Sequence, residues 1–165
     1  MVEIIPASEA EHDRLLRNLY QFYLYEFSRL GPDWRVQEDG RFDESDLDDC
    51  WEPGCRRIFM IRVDGAWAGF IIVDLDLPDG DNPPVNEMSE FFVMPPYRRQ
   101  GVGETAARWA FDQFPGRWEV AIVDSNAEAL AFWRRVLARY PADPVAEVHR
   151  PEERDYLLAF DNSPN

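Results

Sequence analysis

Two kinds of chemistry-bearing residue stand close together near the middle of the chain. Arg98 and Arg99 precede Gly101 and Gly103, and upstream of them lie Glu87 and Glu90. Glycine lets backbone approach a ligand closely and take positive φ. Arginine brings the charge and the paired donors that a phosphate needs. A carboxylate becomes a useful base when burial raises its pKa toward neutrality. The residue types therefore fit a phosphate held beside a proton acceptor.

These residues need elements to hold them. Glu90-Phe91-Phe92-Val93 reads as a strand. Glu104 to Phe114 reads as a helix, with Ala107, Ala110, Phe111 and Phe114 on one face of a 3.6-residue period, and Pro115-Gly116 stops it. A helix N-terminus presents free N–H groups and makes an anion site. The local expectation is strand, phosphate-cradling turn, helix; its alternative is an ordinary tight turn with solvated arginines. On a regular strand, residues three apart point to opposite faces. At most one of Glu87 and Glu90 should then face a given substrate.

Arg98-Arg99-Gln100-Gly101-Val102-Gly103 resembles R/Q-x-x-G-x-G/A, the acyl-CoA pyrophosphate loop of the GNAT superfamily of N-acetyltransferases. The preceding Phe-Phe-Val-x-Pro-x-Tyr-Arg looks like that family's fourth strand and its exit. A second match follows, since Asn126-Ala-Glu-Ala129-Leu-Ala-Phe132-Trp133 is similar to the family's N-x-x-A-x-x-(aromatic or aliphatic)-Tyr block. The two matches lie in residues 87 to 137, and both fall at strand-to-helix junctions.

The resemblance implies an α/β fold: a mixed, mostly antiparallel sheet with parallel, splayed central strands, flanked by helices. It implies acetyl transfer from acetyl-CoA, as co-substrate, to a primary amine. Backbone N–H groups from about Arg99 through Gln100, Gly101, Val102 and Gly103 to Glu104 would hold the pyrophosphate, helped by Arg98 and Arg99. A main-chain N–H near Val93 or Met94 would meet the thioester oxygen as charge develops there. Glu90 is the preferred base, with Glu87 or an ordered water as the alternatives. Asn126, Phe132 and Trp133 would contact the cofactor. Trp133 departs from the pattern, because the family usually carries Tyr there to protonate the thiolate, and an indole N–H has no comparable acidity. Tyr97 and Tyr140 are other phenols that nothing in the sequence places near the sulfur.

The whole chain sets bounds on this reading. Its 165 residues, 45% hydrophobic and 30% charged, suit one globular domain over 1–161 with a frayed tail at 162–165. The net charge of −15 disfavours nucleic acid and anionic membranes as partners; it fits a cationic acceptor, or equally an acidity that serves solubility. All 17 basic residues are arginine, so a Walker A loop and lysine Schiff-base chemistry are excluded. Cys50 and Cys55 without partner histidines make no zinc site, and no metal is expected. No apolar run reaches membrane-span length, and the start lacks signal-peptide character, so a cytoplasmic setting is expected. Assembly as a homodimer is left open. Two other readings remain: a CoA-binding regulatory or interaction module with weak catalysis, and a binder of some other phosphate.

Along the chain, Val2–Ile5 reads as a strand and Ser8-Glu9-Ala10-Glu11 as a capping box opening a helix to about Ser28. Aromatic residues of that helix could line an acceptor pocket. Asp43 to Trp51 could form a short helix, and in the family this acidic region is one lip of the acceptor site. Residues 57–63 and 66–74 flank Asp64-Gly65, a hairpin signal. Asp76 to Pro84 reads as a loop, with the next strand beginning at Val85 or Asn86. Residues 117–123 form a strand, Asp124-Ser125-Asn126 an N-cap cluster, and Ala129 to Tyr140 a helix ended by Pro141. Residues 145–149 and 156–160 are the last strands. His12 and His149 are expected at the surface.

Overall fold

A computed structural model describes residues 1–140 and 145–164. The chain runs β1 (Val2–Pro6), α1 (Glu9–Phe27), a 3₁₀ turn (Ser45–Leu47), β2 (Arg56–Val63), β3 (Ala66–Asp79) and β4 (Asn82–Val93). A second 3₁₀ turn (Pro95–Tyr97), α2 (Val102–Gln113), β5 (Arg117–Val123), α3 (Ala127–Leu137), β6 (Ala146–Arg150) and β7 (Asp155–Asp161) follow. The seven strands form one sheet in the order β1-β2-β3-β4-β5-β7-β6. Among the described residues only β4 and β5 pair in parallel; every other neighbouring pair is antiparallel. This is the mixed sheet expected.

Two apolar clusters cover the two faces of the sheet. On one face, α2 and α3 bring Ala107, Phe111, Trp133 and Val136 onto Ile71, Val73, Met88 and Trp118. On the other, Leu16, Leu19, Tyr20 and Leu24 of α1, with Leu47 and Cys50, cover Met60, Phe70, Ile72 and Phe92. The central strand is thus buried on both sides, which is why Ala68 and Phe70-Ile71-Ile72-Val73 read as an unbroken apolar run.

Several expectations change. Asp76–Pro84 is not a loop: β3 and β4 continue through it as a hairpin, turning at Gly80 with φ +57°. Pro83 and Pro84 are compatible with a strand because they precede the pairing with β5, which begins at Val85. Asp43–Trp51 holds one 3₁₀ turn rather than a helix, although Leu47 and Cys50 are buried as its pattern requires. Ser8 is the N-cap of α1 but makes no capping bond through its side chain; its hydroxyl meets Glu11 at 3.4 Å. His12 is buried and accepts the Ser8 N–H through Nδ1. α2 begins two residues earlier than expected, at Val102. Pro141, expected to end α3, lies outside the described residues. Asn162, expected in the tail, donates through Nδ2 to the carbonyl of Phe111 and the Tyr140 hydroxyl.

Candidate active site

The site forms where β4 and β5 part. They pair only over Val85–Glu87 and Arg117–Glu119, while both strands run on for several residues. A gap therefore opens between Met88–Val93 and Val120–Val123. On its other edge β4 stays paired with β3, and the Met94 N–H is donated to the carbonyl of Ala68 at 2.8 Å. Hydrogen bonding alternates along an antiparallel ladder. Met94, Phe92 and Glu90 therefore face β3 with their backbone groups, and Phe91 and Val93 present theirs to the gap. Of the two donors expected near the acyl group, Val93 has its N–H directed outward, and Met94 does not.

Gly69 lets the two strands come this close. A Cβ there would stand 1.9 Å from the carbonyl oxygen of Phe92. No side chain fits between the backbones at that distance.

At the end of β4 the chain turns through Pro95–Tyr97 into the glycine loop. Arg99 and Gly101 both have positive φ, 59° and 81°. These conformations turn the chain into α2, and Thr105 N–H to Gly101 oxygen is the first bond of the helix. The N–H groups of Val102, Gly103 and Glu104 belong to the open first turn. Gly103 lies against the Phe132 ring, which a Cβ would meet at 3.1 Å. Arg98 is engaged by the protein: it donates to the Val93 carbonyl at 2.6 Å and to Glu26 at 2.7 Å, and stacks over Phe92. Gln100 donates to the Pro96 carbonyl. Glu104 pairs with Arg139 and Arg108.

From α3, Asn126 caps its own helix by accepting the Ala129 N–H at 3.2 Å. Phe132 lies nearly parallel to Phe91, and Trp133 packs edge-on to both rings. Trp133 is buried, so it closes the α3 side of the gap with an aromatic wall. The Tyr140 hydroxyl donates to Asp112 on α2, and burial is the main cause that pushes its pKa up to about 12.

The α1 side of β4 carries the carboxylates. Glu90 pairs with Ile72 and Glu87 with Asp74, so three residues on β4 span two on β3. This β-bulge changes the parity of the strand. Glu87, Ser89 and Glu90 consequently share one face and line one cavity of about 530 Å³. The expectation that Glu87 and Glu90 point to opposite faces assumed a regular pleat and is corrected here. Tyr20, Ser45, Asp46, Asp49, Arg56 and Asp74 complete the polar part of the wall, with the buried side chains of Leu47 and Ile72 beneath it.

Glu90 is pushed up to about 7, first by burial and also by the charge of Asp46, with the Tyr23 and Tyr20 hydroxyls pulling it back. Glu87 is raised as well, by burial and then by Asp74 and Glu119. Asp74 behaves oppositely. Arg56 grips it with two bonds of 2.8 Å and Ser89 donates to it at 2.5 Å, which holds its pKa down. Of these residues the sequence pattern singled out the two glutamates, and Asp46 and Asp49 fall in the acidic segment that the resemblance placed at one lip of the acceptor site. Tyr20 was one among several aromatic residues of its helix, and nothing local joined Arg56 to Asp74, eighteen residues on.

A split parallel pair, a positive-φ glycine turn running into a helix N-terminus, and a carboxylate on β4 with a raised pKa form one constellation. Residues 16–138 match the sequence model of the acetyltransferase (GNAT) family. The chain belongs to that family. No curated protein matches it significantly. Solved structures similar in fold include an acetyltransferase from Thermus thermophilus, 19% identical over 97% of this chain and 95% of that one, TM-score 0.64. A Bacillus subtilis acetyltransferase in complex with CoA is 12% identical over 98% and 99%, TM-score 0.62. The ribosomal-protein-S18-alanine N-acetyltransferase of Escherichia coli is 14% identical over 100% and 96%, TM-score 0.61.

As a GNAT acetyltransferase the protein uses acetyl-CoA as co-substrate. The residues present fit that molecule. The gap gives room for an extended chain, and the Val93 N–H faces it. The first turn of α2 offers three N–H groups to an anion, beside a Gly101 whose surroundings are open. No described helix is long and apolar enough to cross a membrane.

Proposed function

We propose that this GNAT protein acetylates a primary amine that enters from the α1 side of β4, with Glu90 as the base. The observation that carries the reading is Glu90 itself. It is a carboxylate with a pKa near 7, on the wall of an acidic cavity and two residues before Phe92-Val93 at the gap. A base poised near the working pH combines a useful ionised fraction with useful proton affinity. The acidic wall attracts the ammonium form of the acceptor, and the net charge of −15 adds a long-range pull.

Bound acetyl-CoA supplies an electrophilic thioester carbonyl. Glu90 takes the ammonium proton, directly or through one water, and frees the nitrogen lone pair. The lone pair forms the new C–N bond as the C–S bond breaks, its electrons leave on sulfur, and the second nitrogen proton passes through water to the departing thiolate, giving the amide and the thiol of CoA. The Val93 N–H stabilises charge on the carbonyl oxygen as the bond forms. Val102, Gly103 and Glu104 hold the pyrophosphate through their N–H groups, with Arg99 adding charge. Phe132 and Trp133 wall the pantetheine arm. Arg98 serves by fixing the loop to α1 and β4. Calorimetric titration with acetyl-CoA, followed by amine-dependent release of CoA, tests the reading. Glu90→Gln should retain acetyl-CoA affinity and lose turnover by about 100-fold or more. A variant with wild-type turnover would remove Glu90 from the chemistry.

Trp133 favours the second reading, a CoA-binding module with weak catalysis. It stands at the family's tyrosine position and is packed among Phe91, Phe111 and Phe132, with no acidic proton to give a thiolate. Amine-dependent release of CoA separates the two readings, since the module would bind acetyl-CoA and turn over no amine.

A further inference from the structure

The bulge in β4 has a second consequence, which rests on the proposed acceptor site. Glu87 and Glu90 pair with Asp74 and Ile72, two residues apart on β3. At a strand rise of about 3.4 Å per residue, their anchor points lie roughly 7 Å apart along one cavity wall. A single nitrogen at Glu90 is too far from Glu87 to need both.

Glu87 nevertheless has the surroundings of a group awaiting a cation. The two arginines whose charge reaches it, Arg150 and Arg56, are each gripped bidentately by another carboxylate, Asp155 and Asp74. Across the parallel pair its register partner is Glu119, another acid. Like charges side by side on a sheet are destabilising unless something neutralises them. Among the described residues no three carboxylates, histidines or cysteines converge as metal ligands, so the donor geometry suits separate cationic heads better than one ion.

We propose that Glu87 is a specificity residue that receives a second ammonium group, so that the acceptor is an aliphatic α,ω-diamine or longer polyamine. Its reacting nitrogen sits at Glu90, and three to five methylenes separate it from the nitrogen at Glu87. A four-methylene spacer places the nitrogens roughly 6 Å apart by standard bond lengths, close to the spacing of the two glutamates. The reacting nitrogen loses its proton to Glu90 and the other keeps its charge.

The test is the ratio of kcat/KM for 1,4-diaminobutane to that for n-butylamine, measured on the wild-type chain with acetyl-CoA. The two amines differ only in the distal ammonium. The expected ratio is about tenfold or more, the worth of one charge-assisted contact. Glu87→Gln should bring the ratio toward one, and Glu87→Asp should retain part of it. A wild-type ratio near one, or a ratio that Glu87→Gln leaves intact, overturns the proposal. If neither amine is turned over, the catalytic reading of Glu90 fails, and the ratio of the two dissociation constants by calorimetry decides the specificity claim separately. Equal dissociation constants would then reject it, and tighter binding of the diamine that Glu87→Gln abolishes would support it.

Discussion

The Tyr20 hydroxyl stands 3.3 Å from Glu90 Oε1 and 3.3 Å from Asp46 Oδ2, between two carboxylates. A phenol has one proton to donate, so it serves one acid at a time. Burial keeps Tyr20 protonated, with its pKa well above the usual range. The arrangement joins α1, the acidic segment after it and β4 at a carboxylate whose pKa is pushed up to about 7.

Glu90 should therefore mark both activity and stability against pH. Activity requires the ionised form, so kcat/KM should rise through about pH 7. Tyr20→Phe removes a donor that lowers the Glu90 pKa and should move this inflection to higher pH. Stability has the opposite sense. The folded-state pKa is raised above an ordinary value of 4.5, so the stabilisation is full below 4.5 and is lost as pH rises through about 7. The difference is on the order of 3 kcal/mol. Glu90→Gln should raise Tm at pH 8 by several degrees while lowering activity, and should leave Tm near its wild-type value at pH 4. Thermal unfolding of both proteins across that range checks the sign, and a variant less stable than wild type at pH 8 would contradict it.

The glycine loop can be separated from the scaffold. Gly101 has φ +81°, and a Cβ there would meet nothing within 4 Å. Gly101→Val is thus opposed by backbone conformation and not by crowding, at a cost of about 1–3 kcal/mol. Relieving that strain tilts the first turn of α2 and its N–H groups. Affinity for acetyl-CoA should fall by about tenfold or more, with cooperative unfolding retained. Calorimetry and thermal melts on the same sample are sufficient. Unchanged affinity would take the pyrophosphate away from this turn.

What the sequence could disclose followed from how local the cause was. Arg98 to Glu104 and Asn126 to Trp133 are contiguous, and their chemistry and their turns are encoded in the same few residues. The two-face burial of β3 was legible in the apolar run ending at Val73, because burial on both sides removes alternation. The face of Glu87 was not legible, since a bulge is a property of two strands and changes parity with no residue type to announce it. Pro83 and Pro84 hid a strand because a missing N–H matters only where a neighbour would receive it, and β5 begins pairing after them. His12 read as a surface residue because its partners, the Ser8 N–H and the Trp67 ring, depend on how α1 meets the sheet. Arg56 and Asp74 required the β2–β3 register, in which they are direct partners.

Gly69 gives the sharpest test of how the gap is built. Its ideal Cβ would lie 1.9 Å from the Phe92 oxygen and 2.9 Å from the Phe92 carbonyl carbon. Both are backbone atoms held by the ladder, so no side-chain rotation relieves the overlap. Even alanine must push β3 and β4 apart beside the Met94 to Ala68 hydrogen bond. Gly69→Ala should cost about 3 kcal/mol or more, as overpacking against fixed backbone does. Displacing β4 also redirects the Val93 N–H, so whatever folded protein remains should lose kcat more than affinity for acetyl-CoA, whose pyrophosphate is held at α2. Chemical denaturation gives the first quantity, and steady-state rates with calorimetry give the second. A fully stable, fully active Gly69→Ala protein would mean that the close approach of the two strands does not set the position of the Val93 donor.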